Sequence, residues 1–407
     1  MPAGHPRDAV ISGIGLVTAL ADGIETHHRL LSAAERPRPL TDAKRFAPYP
    51  VHPLVEIDLS TQIPKRGDIR QMEDWQRYGT YAAGLALDDA GLAGNEAVLS
   101  EAGLIVAAGG GERDPEVDAA ILEGLAGAKD PGAFINERLM NDLRPTLFLA
   151  QLSNLLAGNI SIVHKVIGSS RTFMGEELCG AMALDIAARQ IRGEQGDVFL
   201  VGGSYNAPRP DMLLFFSLGG YLWTGPTVPP VWRRGGQEGG IVCGSMGAFL
   251  VLEARAHAEA RGARIHARLD EILAERGPRD DAEACKARAR DLGARLGATI
   301  GDAPAGLLSG ASGARQALQM ERAMIDRLAA ERPLPVRGCA TMIGHGLEAQ
   351  MPASVALAAI ALGERQFYPP FDDDGFEEPA DDAPATIAVT GFGHWSGEAV
   401  AVLRADD

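Results

Sequence analysis

An α/β fold is what this sequence predicts, and three observations carry the prediction. Short apolar runs of strand length alternate with longer helical patterns along the chain. Hydrophobic residues make up 46% of it, and 49 glycines supply tight corners, a composition suited to a well-packed protein with many strand-to-helix turns. At 407 residues the chain is too long for one small core, which leaves two domains or one large duplicated architecture.

The elements follow in order. Ala9–Ile14 is a short apolar run ending in glycines, a first buried strand. Gly13-Ile14-Gly15-Leu16-Val17-Thr18 half-matches a dinucleotide fingerprint. It lacks the third glycine, and no suitably placed acid ends a second strand, so a Rossmann cofactor site is not expected. Glu25–Leu31 reads as helix, Pro37–Lys65 as irregular and proline-broken, and Met72–Leu92 as a helix stopped by Gly91. Gly103–Ala108 is a strand closed by Gly109-Gly110-Gly111; no Gly-Lys-Ser/Thr follows, so it is not a phosphate loop. Glu177–Arg192 carries Leu178, Met182 and Ile186 four apart with alanines between, the pattern of a buried helix. Asp197–Val201 and Ile241–Glu253 are further strands.

A second half opens at Arg264–Leu273. It continues through an Ala282–Leu296 helix, a Leu307–Ser309 strand, a Gln316–Leu328 helix, a Thr341–His345 loop and an Ala353–Leu362 helix. The acidic, proline-bearing Phe371–Pro384 segment reads as surface loop. Thr386–Thr390 and Ala399–Arg404 close the sheet, and no short-period repeat is present.

A formal charge of −16 disfavours nucleic acid and anionic membrane as partners. An acidic protein partner would need a local basic patch, for which Lys165, Arg171, Arg233 and Arg234 are the candidates, weighed against plain scattered surface charge. Cys179, Cys243, Cys285 and Cys339 stand far apart without metal-ligand spacing, which argues against disulfides and zinc. The first residues hold no long apolar stretch of the secretory kind, and no run of about 18 apolar residues exists to span a bilayer. A soluble cytoplasmic protein is expected, with no cofactor and no metal.

The functional information lies between Ser153 and Gly203. Ser153-Asn154-Leu155-Leu156-Ala157-Gly158-Asn159-Ile160-Ser161-Ile162 comes first, Gly180 then marks a turn opening a long helix, and Gly196-Asp197-Val198 through Gly202-Gly203 follows. These blocks, at these spacings, resemble the nucleophile region of β-ketoacyl-ACP synthases, the condensing enzymes of fatty-acid and polyketide synthesis. Gly13–Thr18 resembles that family's TGxGxVS opening, and Met72-Glu73-Asp74-Trp75-Gln76-Arg77-Tyr78 its MDRFxQY helix. Ile241–Glu253 resembles the strand after its GEGAG turn, here altered to Gly244-Ser245-Met246-Gly247. The resemblance runs from Val10 to Arg404 and is weak at Pro208–Gln237 and Arg279–Gly306. It implies a thiolase-like duplicated fold of five layers, α-β-α-β-α. An N-terminal half, 1–255, would carry the nucleophile-position helix and dimer interface, and a C-terminal half, 256–407, the histidine loops.

In that family a cysteine at a helix N-terminus attacks an acyl thioester. Two histidines then promote decarboxylation of malonyl-ACP and stabilise the enolate oxygen. Counting between the anchors puts Glu177 at the nucleophile position. Taking Glu321 as the glutamate of the family's DxxET helix puts Gly310 at the first histidine, and Ser309-Gly310-Ala311-Ser312-Gly313 carries no imidazole. The second histidine, from a KSxxGH motif, is kept as His345 in Ala340-Thr341-Met342-Ile343-Gly344-His345, without the lysine. The gating phenylalanine of a GFGG loop falls at His394 in Gly391-Phe392-Gly393-His394-Trp395.

Each change removes a capability. A glutamate is acylated only to an anhydride, uphill of a thioester, and its charge repels a malonyl carboxylate in a confined pocket. Loss of one enolate donor costs about 10²–10³ in rate. No residue is therefore expected to be catalytically competent. Cys179 lies about 200° further round the helix than Glu177 and reads as packing. For Glu177 the alternatives are a helix-capping acid or a pair with His345 or His394; for His345, that pair or a leftover held by a backbone hydrogen bond.

The resemblance thus points to the chain-length-factor branch, synthase-like chains without the cysteine, which usually carry glutamine rather than glutamate there. It implies a non-catalytic subunit that forms a heterodimer with an active β-ketoacyl-ACP synthase, works with acyl carrier protein, and helps shape the acyl pocket in fatty-acid, polyketide or aryl-polyene elongation. Phe134, Leu139, Met140, Leu147 and Phe148 are the candidates for pocket or dimer contact, with core packing as the other reading. Two further readings stay open: an acyltransferase or hydrolase using Glu177 and His345 as a base pair, and a homodimeric acyl- or ACP-binding protein.

Overall fold

The computed structural model describes residues 4–142, 151–235, 239–373, 375–395 and 397–406. Its first five strands are β1 (Ala9–Thr18), β2 (Gly103–Ala107), β3 (Ser170–Phe173), β4 (Val198–Tyr205) and β5 (Met246–Ala254). The second five are β6 (Ala267–Arg276), β7 (Ala305–Ser309), β8 (Val336–Gly338), β9 (Thr386–Phe392) and β10 (Gly397–Arg404). They form one sheet in the order β3-β2-β4-β5-β1-β6-β10-β9-β7-β8.

Outward from the centre, β1-β5-β4-β2-β3 on one side matches β6-β10-β9-β7-β8 on the other, strand for strand. The pairing directions repeat as well. β2 runs parallel to β3 and β4, and β7 parallel to β8 and β9, while the remaining pairs are antiparallel. The two sets join where Ala9–Ile11 pairs with Ala267–Leu269. One strand plan is therefore used twice.

Helices Leu178–Arg192 and Gln350–Gly363 pack on each other and on strands of both sets, forming the middle layer. Every residue from Gln350 to Leu362 is buried, as an apolar-all-round helix requires. Helix Asp74–Asp89 covers the outer face of β1, β4 and β5; Ala282–Ile300 and Arg315–Ala329 cover the other set. The five-layer expectation holds. Asp74–Asp89 lies so close to β1 that a Cβ on Gly13 or Gly15 would overlap the carbonyls of Ala86 and Ala82. Those glycines serve helix–sheet contact, which accounts for the partial dinucleotide match. Among the described residues no helix is long and apolar enough to cross a membrane.

Several expectations need correction. Phe371–Pro384 is not merely surface: Phe371, Asp372 and Glu377 are buried. The Glu377 carboxylate accepts from Trp232 Nε1 (2.8 Å), Gly338 N (2.7 Å) and Phe371 N (2.6 Å), and so anchors the segment. Thr341–His345 is not all loop, since Ala340–Ile343 makes one helical turn. Strands β3 and β8 and helices Pro115–Leu125, Pro131–Asn141, Leu155–His164 and Pro210–Leu218 are absent from the sequence reading. Two of these strands are too short to show a period, and three of the helices open on proline at their first turn.

Candidate functional site

Glu177 stands just before helix Leu178–Arg192, already in helical geometry (φ −51°, ψ −34°), and makes no side-chain capping bond. The capping role is thus not the one built. Its Oε1 instead accepts from His345 Nε2 at 2.8 Å. Both side chains are buried, 1% and 0% exposed. The imidazole is held by its backbone: His345 N donates to Val242 O and His345 O accepts from Gly244 N, each at 2.9 Å. The altered turn before β5 is therefore what positions His345.

Burial pushes the Glu177 carboxyl upward, but the His345 hydrogen bond and charge outweigh it, with smaller help from its own backbone amide and the His394 charge. The net position is below the ordinary glutamate range. Glu177 is a carboxylate at neutral pH, and the helix N-terminus adds favourable dipole. Glu177 Oε2, His345 Nδ1 and His394 Nδ1 have no hydrogen-bond partner among the described residues. His394 is half-buried within charge range of Glu177, with its ring edge-on to Tyr221 at 4.0 Å. Burial lowers its affinity for a proton; the Glu177 charge opposes that.

At Gly310 the structure holds less space than a missing imidazole would leave. Gly310 N donates to Thr390 O (3.1 Å) and Oγ1 (3.2 Å), and a Cβ built there would overlap the Thr390 carbonyl oxygen. Buried Glu321 fixes this arrangement by accepting from Ser309 Oγ (2.6 Å) and from Thr390 Oγ1. The lysine position, Ala340, lies against Arg234, whose Nη2 reaches Ala340 O at 3.4 Å. Arg234 is fully buried, and burial pushes it down to about 9, so it cannot belong to a docking patch as expected. Lys165 and Arg171 are exposed, and Arg233 pairs with Asp373 at 3.1 Å.

Sequence reasoning missed two acids beside Glu177. Glu348 is buried on the Leu347–Ala349 turn, against Gly109. With Trp75, Ser204, Tyr205, Arg209 and others it lines a cavity of about 30 Å³, room for a water and not for an acyl chain. An acid between apolar neighbours, just ahead of an apolar helix, is the signal that points to it. Glu176 accepts from Trp395 N at 2.7 Å; its signal is the acidic doublet itself. Burial, with the charges of Glu348 and Glu176, pushes the Cys179 thiol up to about 12, so it supplies no thiolate.

Three of the apolar candidates before the nucleophile region lie among the described residues. Leu139 and Met140 are 43% and 75% exposed on helix Pro131–Asn141. Phe134 is half-buried with Arg138 over its ring at 5.4 Å. Leu147 and Phe148 lie outside the described residues.

Burial, with the Glu177 charge adding, raises Glu348 to about 7 from an ordinary 4.5, against the pull of its own backbone amide. Between those values the folded protein keeps a proton that the unfolded chain has lost, so stability falls as pH rises through this window. Glu348→Gln is expected to flatten that slope, measured as urea midpoint against pH. An unchanged slope would refute the assignment.

A family model described as the N-terminal domain of β-ketoacyl synthase matches residues 7–258. The 3-oxoacyl-[acyl-carrier-protein] synthase 2 of Vibrio harveyi is 26% identical over 268 residues, 65% of this chain and 61% of the relative's length. That of Vibrio cholerae serotype O1 is 25% identical over 398 residues, 91% of this chain and 90% of the relative. Among solved structures, the ishigamide ketosynthase/chain length factor is similar with a TM-score of 0.78 at 21% identity, over 98% of this chain and 100% of that one. At that identity the likeness shows the fold, a thiolase-like ketosynthase architecture.

Proposed function

Because the chain belongs to the β-ketoacyl synthase family, we propose that it is the non-catalytic, chain-length-factor-like subunit of a synthase pair. It would form a heterodimer with an active β-ketoacyl-ACP synthase, meet substrates carried on acyl carrier protein, and help shape the acyl space during fatty-acid or polyketide elongation. One observation carries this reading. The position that the resemblance assigns to the nucleophile holds a buried carboxylate bonded to His345, which leaves no thiol at that position to form an acyl thioester.

The surface supports a partner. β3 is an exposed edge strand, and beside it Ile162, Ile167 and Met174 are 59%, 63% and 66% exposed. Unpaired strand edges and clustered apolar side chains are what a partner covers. The chain coexpressed with a synthase bearing the complete Cys-His-His set is expected to elute as a one-to-one complex. Alone, incubated with acyl-ACP, it is expected to show no covalent mass increase. Loading and extension by the isolated chain would overturn the proposal.

A second reading has one observation in its favour: the Glu177–His345 pair has the geometry of a general base. Acyl-thioester turnover that disappears in Glu177→Gln would establish it. Complete burial of both groups weighs against it.

A further inference from the structure

The cavity beside Glu348 is lined by polar groups that the surrounding protein does not satisfy. Trp75 stands in the first turn of helix Asp74–Asp89, Tyr205 ends β4, and Gly109 and Gly110 follow β2. Trp75, Tyr205 and Glu348 are buried, 3%, 3% and 5% exposed. Neither Trp75 Nε1 nor Tyr205 Oη has a hydrogen-bond partner among the described residues. Tyr205 lies beside the Cys243 thiol, which is a weak partner.

The backbone is shaped around the acid. A Cβ on Gly109 would stand 2.5 Å from Glu348 Oε1, so glycine is what leaves room for the carboxyl. Leu347, just before Glu348, has φ 48°, a left-handed value that a leucine adopts only at a cost.

The lining selects its guest. Arg209 is already committed: Nε and Nη2 donate to Asp211 at 3.0 and 2.6 Å. Its Nη1 donates to Gly110 O at 2.8 Å, and Nη2 also to Gly111 O at 3.1 Å. Ser204 Oγ donates to Trp75 O at 2.6 Å. An anion would therefore meet the Glu348 carboxyl with the Arg209 charge already paired. Two unsatisfied donors and one acid call instead for a neutral molecule that both accepts and donates, and about 30 Å³ holds one or two waters. An alkyl group would leave the indole N–H and the phenol O–H unpaired, weakening its binding about five- to a hundredfold for each.

We propose that this cavity is a water seat: one or two waters accept from Trp75 Nε1 and Tyr205 Oη and donate to Glu348, and the seat bars alkyl groups from the interior beside Glu348. On the reading of a synthase pair, it closes this wall to the growing chain; the seat itself does not depend on pairing.

The test is a crystal structure of this chain alone, resolved finely enough to show ordered water. Water is expected within about 3.2 Å of Trp75 Nε1, Tyr205 Oη and a Glu348 oxygen. A dry cavity, or an indole and phenol turned to protein partners, overturns the seat. A bromide soak is expected to give no anomalous peak there. Xenon under pressure, which settles in apolar cavities, is expected to give none either; a peak from either one overturns the proposal. In solution, the Trp75 indole proton is expected to show a cross-relaxation peak with water, assigned by its loss in Trp75→Phe. Absence of that peak in the unsubstituted protein overturns the seat. Glu348→Leu removes the acceptor and is expected to abolish the peak, and a peak of unchanged strength overturns the part given to Glu348. Should that variant not fold, the measurements on the unsubstituted protein still decide. Every arm uses this chain alone, so failure of the pairing leaves them unaffected.

Discussion

His345→Ala is expected to cost about 3–5 kcal/mol of stability, because it strands the buried Glu177 charge without its partner. The pair is buried, with Glu177 Oε2 already without a hydrogen-bond partner among the described residues. Glu177→Gln should cost less, since an amide of the same shape still reaches His345 without a buried charge. The double variant should therefore recover much of what His345→Ala loses, and a double-mutant cycle in urea at pH 7 measures that coupling. Additive losses would mean that the two side chains do not interact energetically.

The same pair sets an acid sensitivity. Its folded carboxyl sits below the ordinary value of 4.5. The stabilisation is thus complete above that value and drains away as pH falls through the lowered folded one. Glu177→Gln should lose less stability on acidification than the unsubstituted protein.

Rebuilding the catalytic set is expected to fail and to destabilise the fold. Gly310→Ala should cost about 1–3 kcal/mol, and Gly310→His more, because the added atoms meet the Thr390 carbonyl in a closed core. That carbonyl cannot retreat freely, since Glu321 ties Thr390 and Ser309 together from beneath. The Glu177→Cys, Gly310→His double variant should show a lower urea midpoint and no condensation of malonyl-ACP. A folded, condensing double variant would show that the site lacks only its side chains.

These expectations mark where a linear reading suffices. Helix Leu178–Arg192 and strands β2, β7 and β9 appear within a residue or two of their observed ends, because each has its own apolar pattern and a stop signal. Positions 177, 310 and 345 are reached by counting from the glycines of the resembling motifs and from Glu321, which needs no knowledge of the third dimension. At Leu139 and Met140 the sequence leaves core and contact readings open for a physical reason: an apolar stripe on a helix looks the same whether it faces a core or a surface, and here both side chains are exposed.

The sequence by itself determined the α/β class and the order of most elements, which are local; the duplicated plan and the site positions 177, 310, 345 and 394 are what the family resemblance implies. Tertiary structure alone decided that Glu177 bonds His345, 168 residues away, that Thr390 fills the room above Gly310, and that Glu176 holds Trp395. The Glu177 and Glu176 contacts join the two strand sets, and the register that brings them together is set by packing across the middle layer, which leaves no periodic mark on the chain.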